Sequence, residues 1–412
     1  MIKSLPFKQA TNVLLRVSSL AAKLLLTLYM GRYLGLSELG VYGLVFSAVM
    51  IATGVLGSRL DYVVTRDLVS ASPVDAARRM RDQTVFYAIH YVLFALVMLA
   101  AWGLSIAPPL MLLSVFVITV LEHLANSFTT NLVSLGHPVL STFLFFVRAG
   151  LWCVVVVLLG LLFPVTRTVE SVMIGWAFGG GLGVLMGAWV LRKKPWKEAL
   201  QLPVDWAWIK KAVMKSFPIW IGTIGAMMAS GVDRFVVSYY LDMESVGIIT
   251  FYGSFAAALL SLVHSGFFSF SYPRLIAFHQ SGEGAAFWSE LRQTGLQVAA
   301  FVFLASAALG VVLPYAAYYL DKPELAAQAY TLWLILGAVW IRANADTFYF
   351  ALYAQHRDRP LWLGDLIYLL LLGLGCVVLV PVAGLPGAGY SAIIASALLC
   401  GWWYRAAVAK AS

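Results

Sequence analysis

Apolar stretches of roughly twenty residues recur along the whole chain, separated by short polar or basic segments. They fall at 10–30, 40–58, 84–104, 110–133, 139–162, 169–191, 216–240, 246–270, 293–316, 326–353, 360–380 and 386–404. A transmembrane helix needs about 20 apolar residues, so the pattern predicts twelve spans. Arg342 and Asp346 interrupt the tenth. No strict polar–apolar alternation runs through these segments, which argues against a transmembrane β-barrel.

Inside the spans the polar residues are not scattered. In the first, Asn12, Arg16, Ser19, Lys23 and Thr27 follow one another at spacings of three and four, which places them on one helical face. In the seventh, Ser216, Trp220, Thr223, Met227, Ser230, Arg234 and Ser238 obey the same rule. The chain also resembles itself at an offset of about 207 residues: Tyr33-Leu34 falls on Tyr240-Leu241, Gly40 on Gly247 and Ser47 on Ser254. Under that offset the two stripes occupy equivalent helices. Repeats relating two halves are a transporter signature, because similar lobes can rock about a site between them. Two polar faces of this kind imply a hydrated cleft. The fourth and tenth spans carry a second related pair, in which an offset of 220 lays Glu122 on Arg342 and Asn126 on Asp346.

Composition sharpens the class. Of 412 residues, 61% are hydrophobic and 11% charged, against about 45–50% and about 25% in soluble domains. This excludes a cytosolic enzyme or a nucleic-acid-binding domain. The net charge of +9 reads as topology. With the N-terminus inside, the cytoplasmic segments hold most Lys and Arg, whereas the external loops hold only Arg32, Arg167 and Lys322. Both termini are therefore expected in the cytoplasm. The longest basic break, 192–215, divides the chain into an N-lobe over 1–198 and a C-lobe over 199–412, and its Trp196, Trp206 and Trp208 suggest contact with the membrane surface. The first span holds Arg16 and Lys23 and lacks a small-residue cleavage site, so it is expected to persist as a span.

Nine ionisable residues lie within the spans: Arg16, Lys23, Glu122, Arg148, Asp233, Arg234, Arg342, Asp346 and Asp365. Facing lipid, each costs about 2.5–3.5 kcal/mol, so they are expected to face protein or water. Arg342 with Asp346, and Asp233 with Arg234, read equally as local charge pairs or as functional groups. Arg16 and Lys23 have no acid in their own helix. Cys153, Cys376 and Cys400 sit in apolar runs without metal-ligand spacing. Neither a Walker A sequence nor H-E-x-x-H is present, and no cofactor is expected. Gly175, Gly179, Gly183 and Gly187 form consecutive G-x-x-x-G steps that allow close packing, either within a lobe or between protomers.

The Tyr-Leu-Gly-Leu-Ser-Glu-Leu-Gly-Val-Tyr stretch over 33–42, Val232-Asp233-Arg234-Phe235, Pro273-Arg274-Leu275 and the Gly384–Ala395 segment resemble the polysaccharide-transport branch of the MOP (MATE-like) exporter superfamily. In length and span count the chain is similar to the Wzx-type O-antigen flippases. The resemblance implies an all-α fold of twelve transmembrane helices in two pseudo-symmetric six-helix lobes arranged in a V. It implies a flippase, not an enzyme, moving an undecaprenyl-pyrophosphate-linked oligosaccharide (an O-antigen or exopolysaccharide repeat unit) from the cytoplasmic to the periplasmic leaflet of the bacterial inner membrane by alternating access. Its partners would be that glycan lipid, membrane lipid and the polysaccharide polymerase machinery, with no nucleic acid.

On this resemblance Arg16, Lys23 and Arg234 are expected to bind substrate, because guanidinium groups grip phosphate oxygens, and Arg148, Arg342, Asn12 and Ser230, as polar or charged residues within the spans, are expected to join them. Glu122, Asp233 and Asp346 are expected to couple transport to an ion. Two alternatives stay open. A MATE-like drug/cation antiporter would rely on a first-span carboxylate, where this chain has Arg and Lys. A major-facilitator transporter would carry a longer version of the motif begun by Gly57 and Asp61.

Overall fold

The computed structural model describes residues 5–409, with side chains from residue 11 onward. It is helical, with no strand among the described residues. The helices are α1 (Leu5–Tyr33), α2 (Leu36–Val55), α3 (Asp61–Ser70), α4 (Pro73–Gly103), α5 (Pro109–Ser134), α6 (Pro138–Phe146), α7 (Trp152–Leu162), α8 (Val169–Leu191) and α9 (Trp196–Gln201). They continue as α10 (Trp206–Ala229), α11 (Val232–Tyr240), α12 (Met243–Val263), α13 (Ser269–Ser281), α14 (Gly284–Tyr319), α15 (Pro323–Ala327), α16 (Ala329–Ala354), α17 (Asp358–Ala383) and α18 (Leu385–Val408). Among the described residues, eleven segments are long and apolar enough to cross a membrane. The tenth expected span is the 26-residue α16, which falls outside that set because Arg342, Asn344 and Asp346 dilute its apolar content. The chain is a multi-pass membrane protein.

The chain packs into two units, one of residues 1–26 and 48–224 and the other of residues 27–47 and 225–412. In the first unit, Leu60, Val64, Met80, Tyr87, Leu132 and Leu144 belong to one core cluster. The glycine ladder of α8 packs inside this unit. A Cβ on Gly179 would lie 2.6 Å from Trp152 Cδ1, and one on Gly187 would lie 2.5 Å from Phe128 Cγ. Small residues here let α8 approach α5 and α7 at backbone distance.

The second span was expected to run to residue 58. Its α-helix ends at Val55 and closes in a turn over Leu56–Arg59, where Gly57, Ser58 and Arg59 all have positive φ (73°, 47° and 54°). Gly57 is required there, since a Cβ would stand 2.5 Å from Tyr87 and 2.8 Å from His123 Nε2. Two polar residues of the seventh-span stripe tie this end down. Trp220 Nε1 donates to the Val55 carbonyl at 2.9 Å, and Ser216 Oγ to the Ser58 carbonyl at 2.9 Å. Carbonyls at a helix end have no intrahelical partner, and α10 supplies it.

The basic break is strapped to α4 by buried charge. Asp82 is fully buried and pairs with Arg81, whose Nε donates to Asp82 Oδ1 at 2.9 Å. The Arg81 guanidinium also donates to the carbonyls of Ala199, Leu202 and Pro203, the last two at 2.6 and 3.1 Å. Asp205 caps α10 by accepting from the Trp208 N–H at 3.0 Å and pairs with Arg79 at 3.1 Å. That backbone hydrogen bond, aided by Arg79 and Arg78, holds the Asp205 carboxyl below the ordinary carboxylate range. Arg78, Arg79 and Arg81, which read as topology signals, thus also build structure.

In the second unit the repeat appears as packing. A Cβ on Gly40 would collide with the Met243 carbonyl oxygen, and one on Gly247 with the Leu36 carbonyl oxygen. Leu36 and Met243 are themselves repeat mates at offset 207, as are Gly40 and Gly247. Gly43 faces its own mate Thr250, whose Oγ1 would meet a Cβ there. The contact between α2 and α12 is therefore reciprocal. The seventh span, expected as one helix over 216–240, is instead broken between α10 and α11 at Ser230–Gly231. Gly231 carries no side chain, so Ser47 packs where its Cβ would be, 2.6 Å away.

Removing one partner of a buried ion pair typically costs about 3–5 kcal/mol. Asp82→Ala should lower unfolding stability by about that amount and open the strap to trypsin at Lys197. Unchanged melting and unchanged cleavage there would show that the clamp does not hold the strap.

Candidate functional site

In the first unit the intramembrane charges converge between α5, α8 and the π-helical turn Val147–Leu151 that joins α6 to α7. A π turn adds a residue to the helix and rotates the side chains beyond it; here it carries Arg148. The Arg148 guanidinium pairs with the Glu122 carboxylate, donates to the Glu122 carbonyl at 3.2 Å and reaches Asn126 Oδ1 at 3.4 Å. Trp176 Nε1 donates to the other Glu122 oxygen at 2.7 Å, and its ring stacks on Trp152 at 6.0 Å. Arg148 is buried, with a side-chain exposure of 9%. Lys23 is half-buried on α1, within electrostatic reach of Cys153, as is Glu122. Arg16 is exposed on the same helix and Asn12 half-exposed.

In the second unit, Arg342 and Asp346 form the expected pair on α16, with Arg342 Nε to Asp346 Oδ1 at 3.1 Å. Two further groups join it. His264, on the π-helical turn His264–Phe268, contacts Asp346 Oδ2 at 2.8 Å, and Asp365 of α17 lies 3.9 Å from Arg342 Nη2. Arg342 also lies over the rings of Tyr368 and Trp403, at 4.9 and 5.2 Å. His264, Arg342, Asp346 and Asp365 border a cavity of about 440 Å³, lined in addition by Tyr272, Tyr349 and Tyr353. A neighbouring cavity of about 140 Å³ is lined by Asp233, Arg342, Tyr368 and Ser396.

Arg234 lies at the start of α11, directly after the break. Its Nη1 donates to Ser47 Oγ at 3.1 Å and to the Ser230 carbonyl at 2.9 Å, while its backbone N–H is capped by Asp233 Oδ1 at 2.9 Å. No carboxylate lies within ion-pair distance of its guanidinium among the described residues. Its Nε is buried without a hydrogen-bond partner.

The structure thus brings Arg148 together with Glu122, Arg342 with Asp346, and Arg234 with Asp233 and Ser230. Arg16, Lys23 and Asn12 share a face of α1. Sequence reasoning did not assign His264, Asp365, Tyr368 or Trp176 to a site. Asp365 carried a signal as an intramembrane acid. His264 had none, because the π turn that aims it toward Asp346 leaves no mark in the spacing. Among the described residues no group of three or more His, Cys, Asp or Glu could hold a metal ion.

The fold is that of the MOP-superfamily transporters. No protein family model matches the chain and no curated protein sequence matches it. Solved structures do. The inward-facing form of a multidrug resistance MATE transporter of the MOP superfamily is similar with a TM-score of 0.66 and 13% identity, covering 96% of both chains. The lipid II flippase MurJ in an inward closed conformation is similar with a TM-score of 0.68 and 14% identity, covering 96% of this chain and 87% of its own. A Vibrio cholerae MATE transporter, VcmN, is similar with a TM-score of 0.58 and 14% identity, covering 98% of this chain and 95% of its own.

An unpaired buried charge is more costly than a missing pair. Arg148→Met alone should destabilise the protein by about 3–5 kcal/mol, and Arg148→Met combined with Glu122→Gln should recover most of that loss in thermal unfolding. A double variant no better than the single one would break the pairing.

Proposed function

We propose that the chain is a flippase of the Wzx type, moving an undecaprenyl-pyrophosphate-linked oligosaccharide across the bacterial inner membrane by alternating access of N- and C-lobes. The observation that carries this reading is Arg234. It is a membrane-embedded cation without an ion-pair partner among the described residues, in the first turn of a helix freed by a break in its span. Broken spans whose half-helix N-termini face an anionic group are a recurrent transporter device. The positive helix end and the guanidinium add together there. A pyrophosphate is the matching cargo end, with Ser230 as a further contact; Arg16, Lys23 and Asn12, which share a face of α1, are proposed as substrate contacts within their own unit. Arg148 and Arg342, already held by carboxylates, are assigned to the cargo's uncharged parts and to holding the acids in place.

The decisive experiment is depletion of the protein followed by lipid analysis. An undecaprenyl-linked glycan should accumulate in the cytoplasmic leaflet, and Lys23→Glu should abolish surface glycan at an unchanged protein level. Absence of any lipid-linked glycan on depletion would sink the reading in favour of a drug or cation antiporter.

Glu122, Asp233 and Asp346 are proposed to couple transport to an ion, since acids persist in a membrane only for a reason. Transport by the purified protein should respond to a pH gradient or a membrane potential. Rates indifferent to both would remove the coupling role.

A further inference from the structure

The cavity beside α16 is built for a different part of the cargo than Arg234 is. Its charged lining holds two carboxylates, Asp346 and Asp365, against the single guanidinium of Arg342, with His264 at the rim. That balance is negative when the histidine is neutral, so the cavity repels phosphate. It is also unsuited to a bare metal ion. Arg342 sits between the two acids, at 3.1 Å from one and 3.9 Å from the other, and no metal-holding group forms among the described residues.

The remaining lining is aromatic and hydroxylated. Tyr272, Tyr349 and Tyr353 face the cavity, and none of their hydroxyls makes a protein hydrogen bond among the described residues. The Tyr272 ring lies at 28° to Phe350, with centroids 6.0 Å apart, and Tyr353 meets Tyr272 edge-on at 6.2 Å. Such rings offer negative π faces, which attract the weakly positive C–H face of a pyranose. Carboxylates accept from vicinal hydroxyls, and tyrosine hydroxyls and spare guanidinium N–H groups supply donors. A volume of about 440 Å³ lies at the lower end of the range for small-molecule sites and admits a single sugar residue or a disaccharide.

We infer that this cavity is a sugar-binding subsite. It holds an uncharged residue of the glycan through Asp365, Arg342 and the three tyrosines, apart from the pyrophosphate end. The assignment rests on the flippase reading for the sugar's attachment to lipid, whereas the ligand class comes from the cavity's own chemistry.

The test is saturation-transfer NMR on the full-length protein in nanodiscs. The probes are methyl glycosides of glucose, N-acetylglucosamine and rhamnose, each with and without inorganic pyrophosphate. At least one glycoside should show transfer that pyrophosphate does not displace. Asp365→Asn and the fold-conserving pair Tyr349→Phe and Tyr353→Phe should each weaken it by about tenfold, the scale of one lost charge-assisted hydrogen bond or of two lost neutral ones. Three silent glycosides, displacement by pyrophosphate or by sodium ions, or full binding retained in the tyrosine variants would each overturn the subsite. Silent glycosides alongside glycan-lipid accumulation on depletion would remove only this inference. Glycoside binding without that accumulation would remove only the flippase reading.

Discussion

The contact on which the second unit depends is the reciprocal crossing of α2 and α12. Gly40 lies against the Met243 carbonyl, Gly247 against the Leu36 carbonyl and Gly43 against Thr250. In a membrane, helices gain little from excluding water from one another, so close backbone approach and dispersion must hold them. Each of these glycines stands where any side chain would collide with main-chain or side-chain atoms. The crossing also positions Ser47, one turn further along α2. From there Ser47 fills the space beside Gly231 and accepts from Arg234. The break in the seventh span and the placement of its cation thus descend from a contact among three pairs of repeat mates.

The repeat keeps its scaffold and changes its charges. At offset 220 Glu122 corresponds to Arg342, Asn126 to Asp346 and Arg148 to Tyr368. In the first unit an acid on α5 is met by a base on the next span. In the second the base sits on α16, flanked by Asp346 one turn on and by Asp365 of the next span. Tyr368, at the place of Arg148, presents its ring to the guanidinium. In both of these clusters the intramembrane charges are paired, with inverted polarity. The inversion leaves the first cluster balanced and tightly enclosed, and the second with excess carboxylate beside an open cavity.

Separation along the chain decides which of these features were legible in the sequence. The spans, the offset of 207 and the pairing of Arg342 with Asp346 were readable because each rests on local spacing or on self-similarity. The pairing of Glu122 with Arg148, 26 residues apart, and the clamp of Arg81 on the carbonyls of 199–203 were not. No periodicity links residues on different helices. The polar stripe of the seventh span was read as one face with one role. Ser216 and Trp220 instead cap the end of α2, and only Ser230 and Arg234 stand at the break. Helical spacing assigns residues to a face, and a glycine at 231 is enough to divide that face in two.

Within the second unit the charges are segregated in a way that suits a two-part cargo. Arg234 presents a positive group at a helix N-terminus, and its neighbour Asp233 lines a different cavity with Arg342 and Tyr368. A few residues away in space the chemistry passes from guanidinium and helix dipole to carboxylates and tyrosine rings. A site tuned for a small organic cation would need the carboxylates without the unpaired arginine. A site tuned for phosphate alone would need the arginine without the acids. A molecule with an anionic anchor and a neutral, hydroxyl-rich body calls for both, held on elements rigid enough to keep them apart. The Gly40–Gly247 crossing provides that rigidity for the arginine, and the core that Ala351 of α16 shares with Trp403 of α18 provides it for the acids.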